Sequence, residues 1–215
     1  MEDQEVTTQE STVEEWTRAL AESTGSPGGG AGTGLMLAVA ASLTSMVAGY
    51  SGDDGGEAAG IRTRARALRE EALRLADDDA SASKAFGAAF RLEPGPERDE
   101  AIRRASVDAA ASSAVLGERA IAAIDDLAWL ATNGNRSLVA DVVVAFGALR
   151  AAVAGARTNV SFDLGSLRSA GATLDQVREQ HPDLWAAVEK LNGAMDRIDE
   201  LTAAIDHRAA PTDAT

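Results

Sequence analysis

Ser26-Pro27-Gly28-Gly29-Gly30-Ala31-Gly32-Thr33-Gly34 runs directly into Leu35-Met36-Leu37-Ala38-Val39-Ala40-Ala41-Ser42-Leu43-Thr44-Ser45-Met46-Val47-Ala48, and no charged residue follows until Asp53. A helix that is small or apolar on every side has no face to give to water, so it belongs at the centre of a bundle. The glycines before it let other groups approach the backbone closely, because no Cβ intervenes. A helix N-terminus also carries free N–H donors and a partial positive charge. The junction is therefore either a flexible turn before a core helix or a cradle for a polar or anionic group.

Outward from that helix, the pattern is helical throughout. Residues 1–10 are polar and acidic and are expected to be a tail, and 209–215 a second one, leaving a single domain over 11–208. Ser11 and Glu14 fit a capping box opening a short helix that ends near residue 23. The central helix is expected over 31–50, ended by Gly49, Gly52, Gly55 and Gly56. Ile61, Ala65, Leu68, Ala72, Leu75 and Ala76 recur at helical spacing within 57–91. Pro94-Gly95-Pro96 breaks the chain, and a second long helix is expected from there to Leu130, ending at 132–135. The run after Val139 continues as an apolar helix to about 157, with 158–169 a helix or a turn-broken extension. Pro182 opens a last amphipathic helix through Ile205. No segment alternates with period two. The fold class expected is all-α, a bundle of long helices around a buried apolar helix. Such Ala-rich helices bury little area each, and only 4% of the chain is aromatic, so a homo-oligomer is expected to hide further surface.

Composition narrows the function. A net charge of −14 opposes binding to nucleic acid, which depends on Lys and Arg meeting phosphates, and to an anionic membrane surface. The uncharged run over 25–52 is long enough to span a bilayer, but its first third is Gly, Ser and Thr; a buried helix and no membrane partner are expected. The acidic start is unlike a signal peptide, and a cytoplasmic protein is expected. There is no cysteine, and the two histidines, His181 and His207, form no cluster, so no metal site is expected and carboxylates are left to carry any chemistry.

Asp77-Asp78-Asp79 lies inside a helix otherwise built from good helix formers. Successive side chains point about 100° apart, so one of the three tends toward the core. The triplet is either a solvated face or the source of one carboxylate held in a cleft with a raised pKa, fit for proton transfer. Gly134-Asn135, Asp141 and Asn159 are further polar interruptions, and Asn159 and Asp163 stand one helical turn apart.

These segments together resemble the cyclodeaminase/cyclohydrolase family, which includes the C-terminal domain of formiminotransferase-cyclodeaminase and stand-alone methenyltetrahydrofolate cyclohydrolases. The likeness spans roughly 12–168. Pro27-Gly28-Gly29-Gly30 resembles the family's P-G-G-G-S opening, Leu75 to Ala80 its L-A-D-x-D-A, Gly134-Asn135 with Asp141 its G-N-x-x-x-x-S-D, and Asn159 to Leu164 its N-V-x-x-N-L; Arg91-Leu92 falls where Lys-Leu-Pro is common. Ala31, Ser113, Ala140 and Asp163 depart from the pattern, replacing Ser, Pro, Ser and Asn. The resemblance implies an all-helical homodimer that binds a tetrahydrofolate derivative, without a metal, in a cleft beside the subunit interface. It assigns the catalytic acid to Asp79, with Asp77 second, and substrate binding to Pro27, Gly28, Gly29, Gly30, Arg91, Asn135, Asp141 and Asn159. The activity it implies is hydrolysis of 5,10-methenyltetrahydrofolate to 10-formyltetrahydrofolate. The alternatives are formiminotetrahydrofolate cyclodeamination with release of ammonia, or a non-catalytic folate-binding helical module.

Overall fold

A computed structural model describes residues 6–22, 26–52, 56–169 and 172–209, with the side chains of 169 and 206–209 left aside. Every regular element among them is helical: α1 (Val13–Ala21), α2 (Gly29–Gly49), α3 (Glu57–Phe90), α4 (Pro96–Ala122), α5 (Ile124–Asn133), α6 (Val139–Ser169), α7 (Leu174–Gln180) and α8 (Pro182–Ala209). The all-α expectation holds. The C-terminal tail expected at 209–215 lies, beyond Ala209, outside the described residues.

Two predominantly apolar helices organise the bundle. α2 packs chiefly on α3 and α6, and α6 in turn packs on α4 and α8. Leu37, Val47, Ile61, Ile124, Leu127, Phe146, Leu149 and Ile198 are completely or almost completely buried in the shared core. α2 and α3 approach closely at Gly34, where a Cβ would come within 2.7 Å of the Ala76 Cβ. A second cluster around Val160, Leu164 and Val177 closes the far end of α6 against α4, α7 and α8. α2 and the segment 136–168 are also long and apolar enough to cross a membrane by length and composition; here one side of each forms the core.

Local departures from the expected elements have local causes. The capping box of α1 is Thr12 with Glu15, one residue later than expected: Thr12 Oγ1 accepts from the Glu15 N–H at 3.2 Å, and Glu15 Oε2 accepts from the Thr12 N–H at 2.9 Å. Residues 6–10, expected as part of a tail, fold back onto α3. The Thr8 N–H donates to Asp77 Oδ1 at 2.5 Å, Gln9 Nε2 donates to Asp77 Oδ2 at 3.1 Å, and the buried Trp16 donates its Nε1–H to Thr8 Oγ1. The helix expected to reach Leu130 bends after Ala122, where the Ala123 N–H turns back to the Ala120 carbonyl, and the bend aims Ile124, Leu127 and Leu130 into the core. α6 runs unbroken through Thr158 and Asn159. α7 was not expected, although Thr173 and Gln176 form a full capping box.

Candidate active site

α2 begins without a side-chain cap, because its N-cap residue is Gly28. The missing acceptor comes from another helix. Asp79 of α3 lies over the start of α2, on the Ala31 N–H, with the Ser83 hydroxyl on the same carboxylate. A Cβ on Gly30 would overlap this carboxylate, so Gly30 is the glycine that admits it. Gly29 has open space around it, and Pro27 is buried just ahead of the cap. Thr33 Oγ1 is turned inward onto the Gly29 carbonyl at 2.8 Å, against Gly155 of α6.

Asp79 Oδ2 is buried and has no hydrogen-bond partner among the described residues. A charged oxygen left so is costly, so burial pushes the carboxyl above the ordinary Asp value, outweighing the Ala31 N–H and the Ser83 hydroxyl, which pull it down. Asp163 of α6 faces the same space. Burial and the negative charge of Asp79 raise its pKa to about 6. The two carboxylates, Asn159, Ser83 and Ser113 line a cavity of about 350 Å³, walled on its apolar side by Phe86 and Phe162 and floored by Gly29 and Gly30. Its lining includes no basic side chain. A pair of carboxyls with raised pKa values is suited to exchanging protons with a bound ligand, and their negative charge favours a cationic one. Among the described residues no group of three or more His, Asp or Glu side chains is arranged to hold a metal ion.

The structure gathers Pro27, Gly28, Gly29, Gly30, Asp79 and Asn159 at this end of α2 and separates them from Asp77, Arg91, Asn135 and Asp141. Asp77 points away from the cavity into the folded-back segment, and Asp78 pairs with Arg74 at 2.8 Å on the surface. The triplet thus divides into a tether, a solvated ion pair and a buried acid. Arg91 is exposed at the C-cap of α3, twelve residues and about 18 Å beyond Asp79, and does not line the cavity. Asn135 sits at the opposite end of α2. It caps the short 3-10 turn at Arg136–Leu138, accepting from the Ser137 N–H, and its Nδ2 donates to the Tyr50 carbonyl. Asp141 stands nearby in the first turn of α6. About 30 Å of helix separates these two from Asp79. Ser83 and Phe86 were not anticipated, and Ser113, Phe162 and Asp163 stood out only within the sequence patterns and not as site residues; Ser83 lies one turn after Asp79, a spacing that could have revealed it.

Comparison with known proteins bears on the family and the fold. Residues 12–182 match the family described as formiminotransferase-cyclodeaminase. Compared with curated protein sequences, the chain matches none. Among solved structures it is similar to a formiminotetrahydrofolate cyclodeaminase from Thermotoga maritima, with 21% sequence identity over 92% of this chain and 96% of that one and a TM-score of 0.75. At that identity the likeness establishes a shared fold.

Proposed function

Because the chain belongs to the formiminotransferase-cyclodeaminase family, we propose that it is a homodimeric, tetrahydrofolate-dependent one-carbon enzyme that hydrolyses 5,10-methenyltetrahydrofolate to 10-formyltetrahydrofolate. The observation that carries this reading is the buried Asp79 Oδ2, without a hydrogen-bond partner among the described residues, facing a second raised carboxyl, Asp163, in a cavity to which a single copy contributes no basic group.

The bridge of the methenyl substrate is an amidinium cation, which suits two carboxylates. Asp79 takes a proton from water as the oxygen adds to the bridging carbon. The carbon becomes tetrahedral, its bond to N5 breaks as N5 takes a proton from the nearby Asp163, and the proton on the carbon's hydroxyl passes back to that carboxylate as the formyl C=O forms. One water is consumed and one proton is released for each ring opened. In this reading Asn159, which lines the cavity, orients the folate ring, and Phe86 and Phe162 offer it flat apolar contact.

A second reading is favoured by the match to a formiminotransferase-cyclodeaminase family. In it, N10 attacks the formimino carbon of 5-formiminotetrahydrofolate and ammonia leaves, protonated by a carboxyl of the same pair. Turnover separates the readings. Loss of methenyltetrahydrofolate absorbance well above the buffer rate supports hydrolysis. Ammonia release from the formimino substrate, with no such loss, replaces it by deamination. Folate binding without either reaction leaves a binding module.

A further inference from the structure

The heptad spacing of Gly32, Met36, Val39, Leu43, Met46 and Tyr50 places them on one side of α2, and all six are exposed or half-exposed. Intervals of three and four residues are the signature of a helix seated against another helix. On α6, Arg150 and Arg157 turn toward α8, where they meet Asp199 and Asn192. Its outer positions are instead Val144, Gly147, Ala151, Thr158 and Phe162, with Val144 59% and Phe162 76% exposed. One quarter of the chain is charged, yet neither of these stripes carries a charge. Two neighbouring helices about 30 Å long and 20 Å across offer roughly 600 Å², the lower end of the area per partner of a stable interface.

The two ends of this face differ in charge. Beside the start of α2 lie Asp79 and Asp163. Beside its end, Arg62 and Arg66 of α3 flank Met46, Gly49 and Tyr50 in an open cavity with Ser42 and Ser45. Among the described residues neither arginine has an ion-pair partner, although the chain is strongly acidic. The face is therefore complementary to itself only when turned end for end.

We infer that a second copy of this chain docks on the α2–α6 face with its α2 antiparallel to the first, and that each copy's Arg62 and Arg66 complete the other's Asp79–Asp163 cavity. The inference rests on the homodimer proposed above and adds its orientation and the residues exchanged. The stripe is centred between Val39 and Leu43, so Met36 of one copy faces Met46 of the other. The arrangement gives the cavity the positive charge that its own lining lacks. A ligand with a cationic ring and a carboxylate tail would then have its ring at Asp79 and Asp163 and its tail at the second copy's arginines. The same rotation carries the second copy's Asn135 to the mouth of the cavity, joining residues that one copy holds at opposite ends.

The chain lacks cysteine, so single-cysteine variants report contacts cleanly. Under mild oxidation, Met36→Cys and Met46→Cys are each expected to remain uncrosslinked alone and to form a disulfide-linked dimer when mixed. Crosslinking of Met36→Cys to itself would overturn the orientation, and a monomer in sedimentation, or binding to neutral phosphatidylcholine vesicles through this face, would overturn the docking. The exchange of residues is tested with Asp79→Asn and the double variant Arg62→Glu/Arg66→Glu, each impaired alone at subsaturating folate. After subunit exchange the mixture should regain about a quarter of parental turnover, because half the dimers are mixed and each of these has one intact site. No recovery from a mixture shown to have exchanged would mean that the arginines do not serve the partner's site. If the parent turns over neither folate, the crosslinking result still decides the docking.

Discussion

The carboxylate of Asp79 stands where a side chain on Gly30 would be. A residue on α3 thereby closes the start of α2, and the glycine run has a specific purpose at one position. Gly30→Ala is expected to displace Asp79 and lower turnover, whereas Gly29→Ala, with nothing within 4 Å of its new methyl group, leaves the fold in place. Steady-state rates and melting curves of the two variants check this. Equal behaviour would detach Gly30 from the acid.

Asp79→Asn keeps the shape of the side chain but removes its capacity to accept and return a proton. Positioned acid–base groups contribute roughly 100- to 10,000-fold in rate, so turnover should fall by at least about 100-fold with folate affinity changed far less. Asp78→Asn breaks only an exposed pair with Arg74 and should be silent. Measuring kcat and folate Kd for both variants tests the assignment; parental turnover in Asp79→Asn would remove the acid from its role.

Asp77→Asn should act on the N-terminal segment and leave chemistry alone. The carboxylate accepts from the Thr8 N–H and from Gln9, and Thr8 accepts from the Trp16 indole. Weakening that tether should expose Trp16, now 5% accessible, to water. A red-shifted Trp emission relative to parent, with kcat unchanged, is the expected result; a large loss of kcat would return Asp77 to the catalytic group.

Asp163 makes stability depend on pH in a definite direction. Its folded pKa, about 6, lies above the ordinary value of 3.8. Between those values the folded state binds more protons than the unfolded one, so stability falls as pH rises through this window and stays reduced above it. Asp163→Asn cannot ionise, so its melting temperature should exceed that of the parent at pH 7.5 and approach it at pH 4. Thermal melts at the two pH values decide the matter; no gain at pH 7.5 would mean that the carboxylate is well solvated.

Much of the fold was legible because the core helices announce themselves. From Gly29 to Gly49 no side chain is charged, and the interior of α6 is almost as bare. What escaped was set by packing. Nothing among the alanines and isoleucines around Ala123 signals the bend between α4 and α5. The Thr173 capping box was a usable signal for α7 that periodicity alone does not weigh. At the site, three consecutive aspartates are equivalent as letters, and only their rotation around α3 separates tether, ion pair and buried acid. Asn135 and Asp141 follow the sequence pattern of site residues, yet a linear motif carries no information about which end of a 21-residue helix it will reach.

The borrowed cap on α2 ties the protein's history to its chemistry. A helix that carried its own Ser or Asp at position 28 would free the α3 carboxylate from its structural duty, and the acid could then be tuned for reactivity alone. With Gly28 in place, every substitution that makes Asp79 a better proton carrier also alters how the central helix begins. Gains in rate and losses in folding are then expected to arrive in the same mutations, so improved variants should depend on compensating changes elsewhere in the bundle.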